Sequence, residues 1–179
     1  MQKSLRVLAL LAVVALGIWG WGFLFPSPEK IIRSRLNAVA ETVSFEPGQG
    51  TISKGYKAQK LMEFFTPDVE ASVNMKEYRE QTFSGRDELI QAYMWFQSQF
   101  KAVKVELIDI NLKFAPDKQS VVANLTLKVF LPSDRDFTPQ ELNVMLKRVD
   151  KKWLIYRIET VKTLALNEII LLRHAQASP

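Results

Sequence analysis

Between Val103 and Val161 apolar residues alternate with polar ones in four successive runs. Only extended chain satisfies that period, because successive side chains of a strand point to opposite faces. The longest run keeps one phase through Val121, Ala123, Leu125, Leu127, Val129 and Leu131. Its predecessor does not: Val103, Val105 and Leu107 fall on odd positions, and Ile108, Ile110, Leu112 and Phe114 on even ones. A strand buried on one face changes phase only through a bulge or a strong bend, so a long bent strand is expected here. The proline turn from Ala115 to Lys118 joins the two runs as a hairpin. A polar loop spans Pro132 to Pro139. Leu142, Val144 and Leu146, a tight Asp150-Lys151-Lys152 turn, and the run from Trp153 to Val161 then predict a second hairpin.

Ahead of these strands the period is helical. Ile31, Ile32, Leu36, Val39 and Val43 recur at that spacing from Glu29 to Val43, with Ser27 and Pro28 as cap and first turn. After a loop with Pro47, Gly48 and Gly50, a second helix is expected from Ser53 to Phe65. Thr66-Pro67-Asp68 should end it, since the residue before a proline is pushed out of the helical region, and Asp68 reads as a turn and capping residue. Val69, Ala71 and Val73 alternate as a short strand, and Met75 to Phe83 suits another. Ser84-Gly85-Arg86-Asp87 fits a capping box before a third helix, whose stripe is Leu89, Tyr93, Phe96 and Phe100, widened by Ile90 and Met94. The order predicts an α+β fold, with three helices packed on one face of a bent, mainly antiparallel sheet.

Phe64-Phe65-Thr66-Pro67-Asp68-Val69-Glu70-Ala71, then Ser84-Gly85-Arg86-Asp87-Glu88-Leu89-Ile90 with Tyr93, then two hairpins ending in Trp153-Leu154-Ile155, resemble the nuclear transport factor 2-like superfamily. That superfamily includes the SnoaL-like proteins and ketosteroid isomerase. The resemblance covers Glu29 to Thr163 and implies a cone-shaped domain, residues 26–163, in which a curved sheet wraps around helices and leaves a pocket at the open end. An isomerase of that kind needs a carboxylate base on the first strand. Ser72, Val73 or Asn74 stands there, and none of these takes a proton at neutral pH.

The pocket candidates are Tyr78, Tyr93, Trp95, Asp109, Asn111 and Tyr156, with Asp109 or Glu159 as the acid of an alternative, enzymatic reading. Against each stands a plainer role: aromatic residues at regular spacing fill cores, and charged ones cover outer faces. The single histidine, His174, falls after the domain, which removes His-based triads and metal clusters from the core. The absence of cysteine rules out disulfides and thiolate ligands. No cofactor and no metal are expected. Asn124-Leu125-Thr126 matches a glycosylation sequon but falls on a strand, where it reads as coincidence.

The two ends of the chain carry apolar runs of their own. Lys3 and Arg6, in a basic head of residues 1–6, precede an uncharged stretch from Val7 to Phe25. As a helix at about 1.5 Å per residue, that stretch reaches roughly 28 Å, close to the hydrocarbon thickness of a bilayer. It ends in Trp19-Gly20-Trp21-Gly22-Phe23-Leu24-Phe25 rather than a small-residue cleavage site, so an uncut N-terminal transmembrane anchor is expected. Lys30, Arg33 and Arg35 balance the basic head, leaving the orientation to the usual arrangement of a cytoplasmic head and a periplasmic or extracellular domain on a single-pass inner or plasma membrane protein. At the other end, residues 164–179 form a tail whose Leu164, Leu166, Ile169, Ile170, Leu171 and Leu172 are too few to span a membrane and must be covered by something. Lys3 and Arg6 supply two of 24 basic residues against 19 acidic ones, and the rest intermingle. A nucleic-acid partner, which calls for a basic stripe, is not expected. The reading is a membrane-tethered, exported binding module without catalysis of its own, a scaffold in an envelope assembly, partnered by a protein, a second copy or a small apolar ligand. The alternative is a SnoaL-like isomerase, hydrolase or dehydratase acting on a small apolar substrate in the cone pocket.

Overall fold

The computed structural model describes residues 26–75, 78–131 and 139–163. The expected anchor and tail lie outside them. Among the described residues no helix is long and apolar enough to cross a membrane. The chain divides into two compact units, Met1–Ser34 and Arg35–Pro179, the boundary falling within the first helix, α1 (Pro28–Val43). In the first unit Ser27 opens this helix as its sequence predicts. Its hydroxyl accepts from the Lys30 N–H at 3.4 Å, and its carbonyl from the Ile31 N–H at 3.1 Å.

The second unit carries the rest: α2 (Thr51–Met62), β1 (Phe65–Met75), β2 (Tyr78–Ser84), α3 (Arg86–Gln99), β3 (Lys104–Phe114), β4 (Ser120–Phe130), β5 (Gln140–Val149) and β6 (Lys152–Thr163). The six strands form one mixed sheet in the order β2-β1-β6-β5-β4-β3, in which β1 and β6 run parallel and every other pair antiparallel. The buried face holds Val121, Ala123 and Leu125 of β4 and Leu142, Val144 and Leu146 of β5, opposite Leu36 and Ala40 of α1 and Tyr93 of α3.

The phase change in β3 is a bulge. Its pairing with β4 steps from Ile108↔Thr126 to Asn111↔Asn124, and Asp109 takes a positive φ of 53° in the displaced turn of chain. A second irregularity lies in β6, where pairing with β5 steps from Leu146↔Ile155 to Met145↔Arg157 and leaves Tyr156 unmatched. The hairpin turn between β5 and β6 places both Asp150 and Lys151 at positive φ, 48° and 67°, the signature of a two-residue mirror-image turn.

Two local expectations are corrected. The second helix stops at Met62 instead of Phe65, and Thr66-Pro67-Asp68 is strand, not a helix-ending turn. Tertiary partners capture this stretch: the Ile155 N–H donates to the Phe64 carbonyl at 2.9 Å, and the Arg86 guanidinium Nε donates to the Phe65 carbonyl at 2.9 Å. Pro67 is tolerated because β1 and β6 fall out of register between Phe65 and Glu70, where no ladder donor is required of it. Asp68 is exposed on that strand, 3.5 Å from the Lys147 ammonium. Its carboxyl is held below its ordinary pKa by the neighbouring Thr66 hydroxyl first and by its own backbone N–H, with Lys147 contributing less. The expected capping box at Ser84 also differs. Gly85 is the cap residue, at φ 83°, and the Glu88 carboxylate accepts the Ser84 N–H at 2.7 Å, so the box closes one residue later than Asp87.

Candidate functional site

Beta strand β4 keeps one apolar phase from end to end, yet its burial does not keep pace. Val121, Ala123 and Leu125 are buried, whereas Leu127, Val129 and Leu131 are only half-buried. The same holds for Val105 and Leu107 on the neighbouring β3. Between these strands and the helices opposite, the inner face of the sheet borders open space. That space is a half-open cavity of about 510 Å³, bounded by the last turns of α1, by the Leu89-Tyr93-Phe96-Phe100 stripe of α3 and by the inner faces of β3, β4, β5 and β6. Its volume lies within the usual range for small-molecule sites.

The wall is almost wholly apolar. Its polar side chains are Tyr93 and, at the rim, Gln140, and no carboxylate, lysine or arginine of the described residues borders it. The Tyr93 hydroxyl is already committed, donating to the Thr42 carbonyl at 3.0 Å in the last turn of α1. Burial raises the phenol's pKa above its ordinary value. The buried Gln97 amide, one turn further on, makes no hydrogen bond of full geometry through its nitrogen, yet lies close enough to offset part of that rise. The phenol thus meets the cavity with its O–H already donated to the backbone of α1.

Of the residues singled out from the sequence, only Tyr93 lines this cavity among those described. Tyr78 opens β2, and its side chain lies outside the described residues. Trp95 is 62% exposed, because two positions after Tyr93 a helix has turned through more than half a circle. Asp109 and Asn111 are exposed: Asp109 is the bulge, and beyond it the inward phase passes to Leu112 and Phe114. Tyr156 sits at the β6 irregularity with the Lys147 ammonium 5.4 Å from its ring centre. Glu159 pairs with Arg157 at 2.7 Å.

The register instead assembles a polar row on the sheet's outer face. Asn111, Asn124, Asn143, Glu159, Ser72 and Thr82 stand opposite one another on successive strands. Two sequence candidates, Asn111 and Glu159, thus share a row without sharing the cavity. Within it the Asn124 amide donates to Asn143, which engages the sequon asparagine in the sheet.

Beside the cavity, and sharing Val105 and Leu131 with it, runs a second concavity of about 590 Å³ with a different character. Glu41, Glu46, Gln49, Lys57 and Lys104 line it. The loop after α1 is held in place here by a two-way bridge: Phe45 and Val103 exchange N–H···O bonds of 2.8 and 2.9 Å. Ser44 adds a second tie, its hydroxyl donating to the Ala40 carbonyl at 2.7 Å and accepting from the Val105 N–H at 2.9 Å. Lys57 reaches the Ser44 carbonyl at 2.5 Å, a cation on the end of α1 where the helix dipole favours it. None of these groove residues stands out in the sequence, since four elements converge to make it.

No family model matches the chain, and no curated protein does. Solved structures do. Yeast BRE5, the UBP3-associated protein, is 12% identical with a TM-score of 0.60, covering 79% of this chain and 99% of its own. An uncharacterised protein of cystatin-like fold from Caulobacter vibrioides is 19% identical with a TM-score of 0.59, covering 81% of this chain and 97% of its own. A putative scytalone dehydratase from Novosphingobium aromaticivorans is 13% identical with a TM-score of 0.55, covering 76% and 85%. At these identities the likeness shows the fold alone. It is an α+β architecture of three helices on a six-stranded mixed sheet, with nuclear transport factor 2-like, SnoaL-like and scytalone dehydratase-like neighbours of cystatin-like fold.

Proposed function

We propose that this chain is a binding module that takes a small apolar molecule into its cavity without transforming it, and that residues 7–25 tether it to a membrane with the domain on the exported side. The observation that supports the binding role is the unfilled apolar wall of Leu107, Leu127 and Val129 facing a cavity of about 510 Å³. An apolar surface of that extent gains free energy from any apolar occupant, at about 25 cal/mol per Å² removed from water. The enzymatic alternative needs an acid or base within reach of the bound molecule, and Asp109 and Glu159 are absent from the wall. The tether rests on the sequence of residues 1–25, and the scaffold and homodimer roles on the fold's versatility alone.

The test is saturable binding of the apolar fluorophore N-phenyl-1-naphthylamine. Leu127→Trp, which puts an indole into the void, should abolish it while the chain stays folded. Binding that survives this substitution would refute the cavity as the site. The apolar tail follows Thr163, which pairs with Gln140 at the cavity rim, so the same titration belongs on a chain truncated after Thr163. Binding seen only after truncation would make the tail the occupant and end the small-molecule reading. Intact mass of membrane-extracted protein checks the tether, and a mature chain beginning near Ser27 would refute it.

A further inference from the structure

The apolar cavity and the charged groove meet along Val105 and Leu131, so one molecule entering from the groove side would have its two ends in opposite surroundings. Resting on the binding role proposed above, we infer that the ligand is a single-chain amphiphile with a zwitterionic head, its hydrocarbon chain in the cavity and its head in the groove. The charge inventory selects the head. Among the described residues Glu41 and Glu46 stand against Lys57 and Lys104, two of each sign. A purely anionic head meets the two carboxylates, and a purely cationic one the two ammonium groups. A head with an ammonium and a phosphate offers each side its opposite, and like-charge contacts are what discriminate against the others.

The groups retain capacity for this. Lys104 bonds Glu106 at 2.7 Å and Lys57 bonds the Ser44 carbonyl at 2.5 Å, while an ammonium has three donors. The side-chain oxygen of Gln49 is buried in the groove wall without a hydrogen bond. A buried acceptor of that kind is costly unless a donor arrives, and the head's ammonium is such a donor.

Native mass spectrometry of the full chain, released from a non-ionic detergent, tests this with three probes: myristoyl lysophosphatidylethanolamine, myristoyl lysophosphatidylglycerol and tetradecanol. The zwitterionic lysolipid should form a one-to-one complex about tenfold tighter than either of the others, the equivalent of one charge-assisted contact at the head. Lengthening its chain within the cavity's capacity should tighten it about fourfold per methylene. The double variant Glu46→Gln, Lys104→Gln changes two exposed residues and should bring the three probes to within about threefold of one another, with N-phenyl-1-naphthylamine binding unchanged. Equal binding of all three probes by the unaltered chain, or preference for the anionic one, would overturn the head assignment and leave the apolar cavity standing. Failure of all three, with Leu127→Trp making no difference to the naphthylamine, would overturn both.

Discussion

Replacing Tyr93 by Phe removes one oxygen from the wall of the cavity and leaves the ring in place. Tyr93 is buried, and its hydroxyl donates to the carbonyl of Thr42, itself a buried residue in the last turn of α1. Carbonyls in that turn have no partner within the helix, so Tyr93 supplies what α1 lacks. Deleting the donor leaves a buried acceptor unpaired, which costs about 1–3 kcal/mol, more than the net worth of an ordinary hydrogen bond. Taking about 2 kcal/mol and the size of the second unit, the melting temperature should fall by roughly 4–8 °C.

The pH dependence supplies a second check. The folded-state pKa of Tyr93 is raised above its ordinary value of 10.0, so the folded chain holds this proton more tightly than the unfolded one. That contribution is fully present below the unfolded pKa and is lost as pH rises through the folded one. Differential scanning calorimetry of both chains should therefore show a gap that is constant at neutral pH and narrows in the alkaline limb. A Tyr93→Phe chain that melts within about 1 °C of the parent at neutral pH would refute the argument that Thr42 depends on this bond.

Other expectations follow from the same structure. Phe96 packs edge-on to Phe45 with ring centres 6.3 Å apart and lies 4.8 Å from Phe100, so Phe96→Ala should cost about 3 kcal/mol in a denaturant melt, the low end for a phenylalanine because it already borders a void. Lys151 is exposed at φ 67°; Lys151→Gly relieves about 1 kcal/mol of left-handed strain and returns roughly half of it as unfolded-chain entropy, for a gain of about 1–2 °C by calorimetry. Asp109→Asn and Glu159→Gln should leave N-phenyl-1-naphthylamine affinity unchanged in fluorescence titration, since neither side chain lines the cavity.

Periodicity carried much of the architecture, because burial on one face is a local property that each strand or helix records in its own residues. The odd-to-even switch between Leu107 and Ile108 registers the bulge at Asp109, and the same switch already implies that Asn111 faces outward. The single phase of β4 and the stripe from Leu89 to Phe100 likewise identify the faces that meet. Pro67 misled, since the rule that proline ends a helix says nothing of whether a sheet will take up the residues beside it, and that was decided by Ile155 and Arg86 from far along the chain.

The site itself was beyond local pattern. Leu107, Leu127 and Val129 look like core in the sequence, and they line a void because the helices opposite do not fill the space over them, a misfit between elements that no single element records. The charged groove is a still less local property. Glu41, Glu46, Gln49, Lys57 and Lys104 come from α1, the loop after it, α2 and β3, and each reads as ordinary surface until the Phe45–Val103 bridge brings them together beside the apolar cavity. Sequence determined which faces are apolar, because hydration acts residue by residue; tertiary structure alone decided where such a face would be left uncovered, because that depends on how the other elements pack against it.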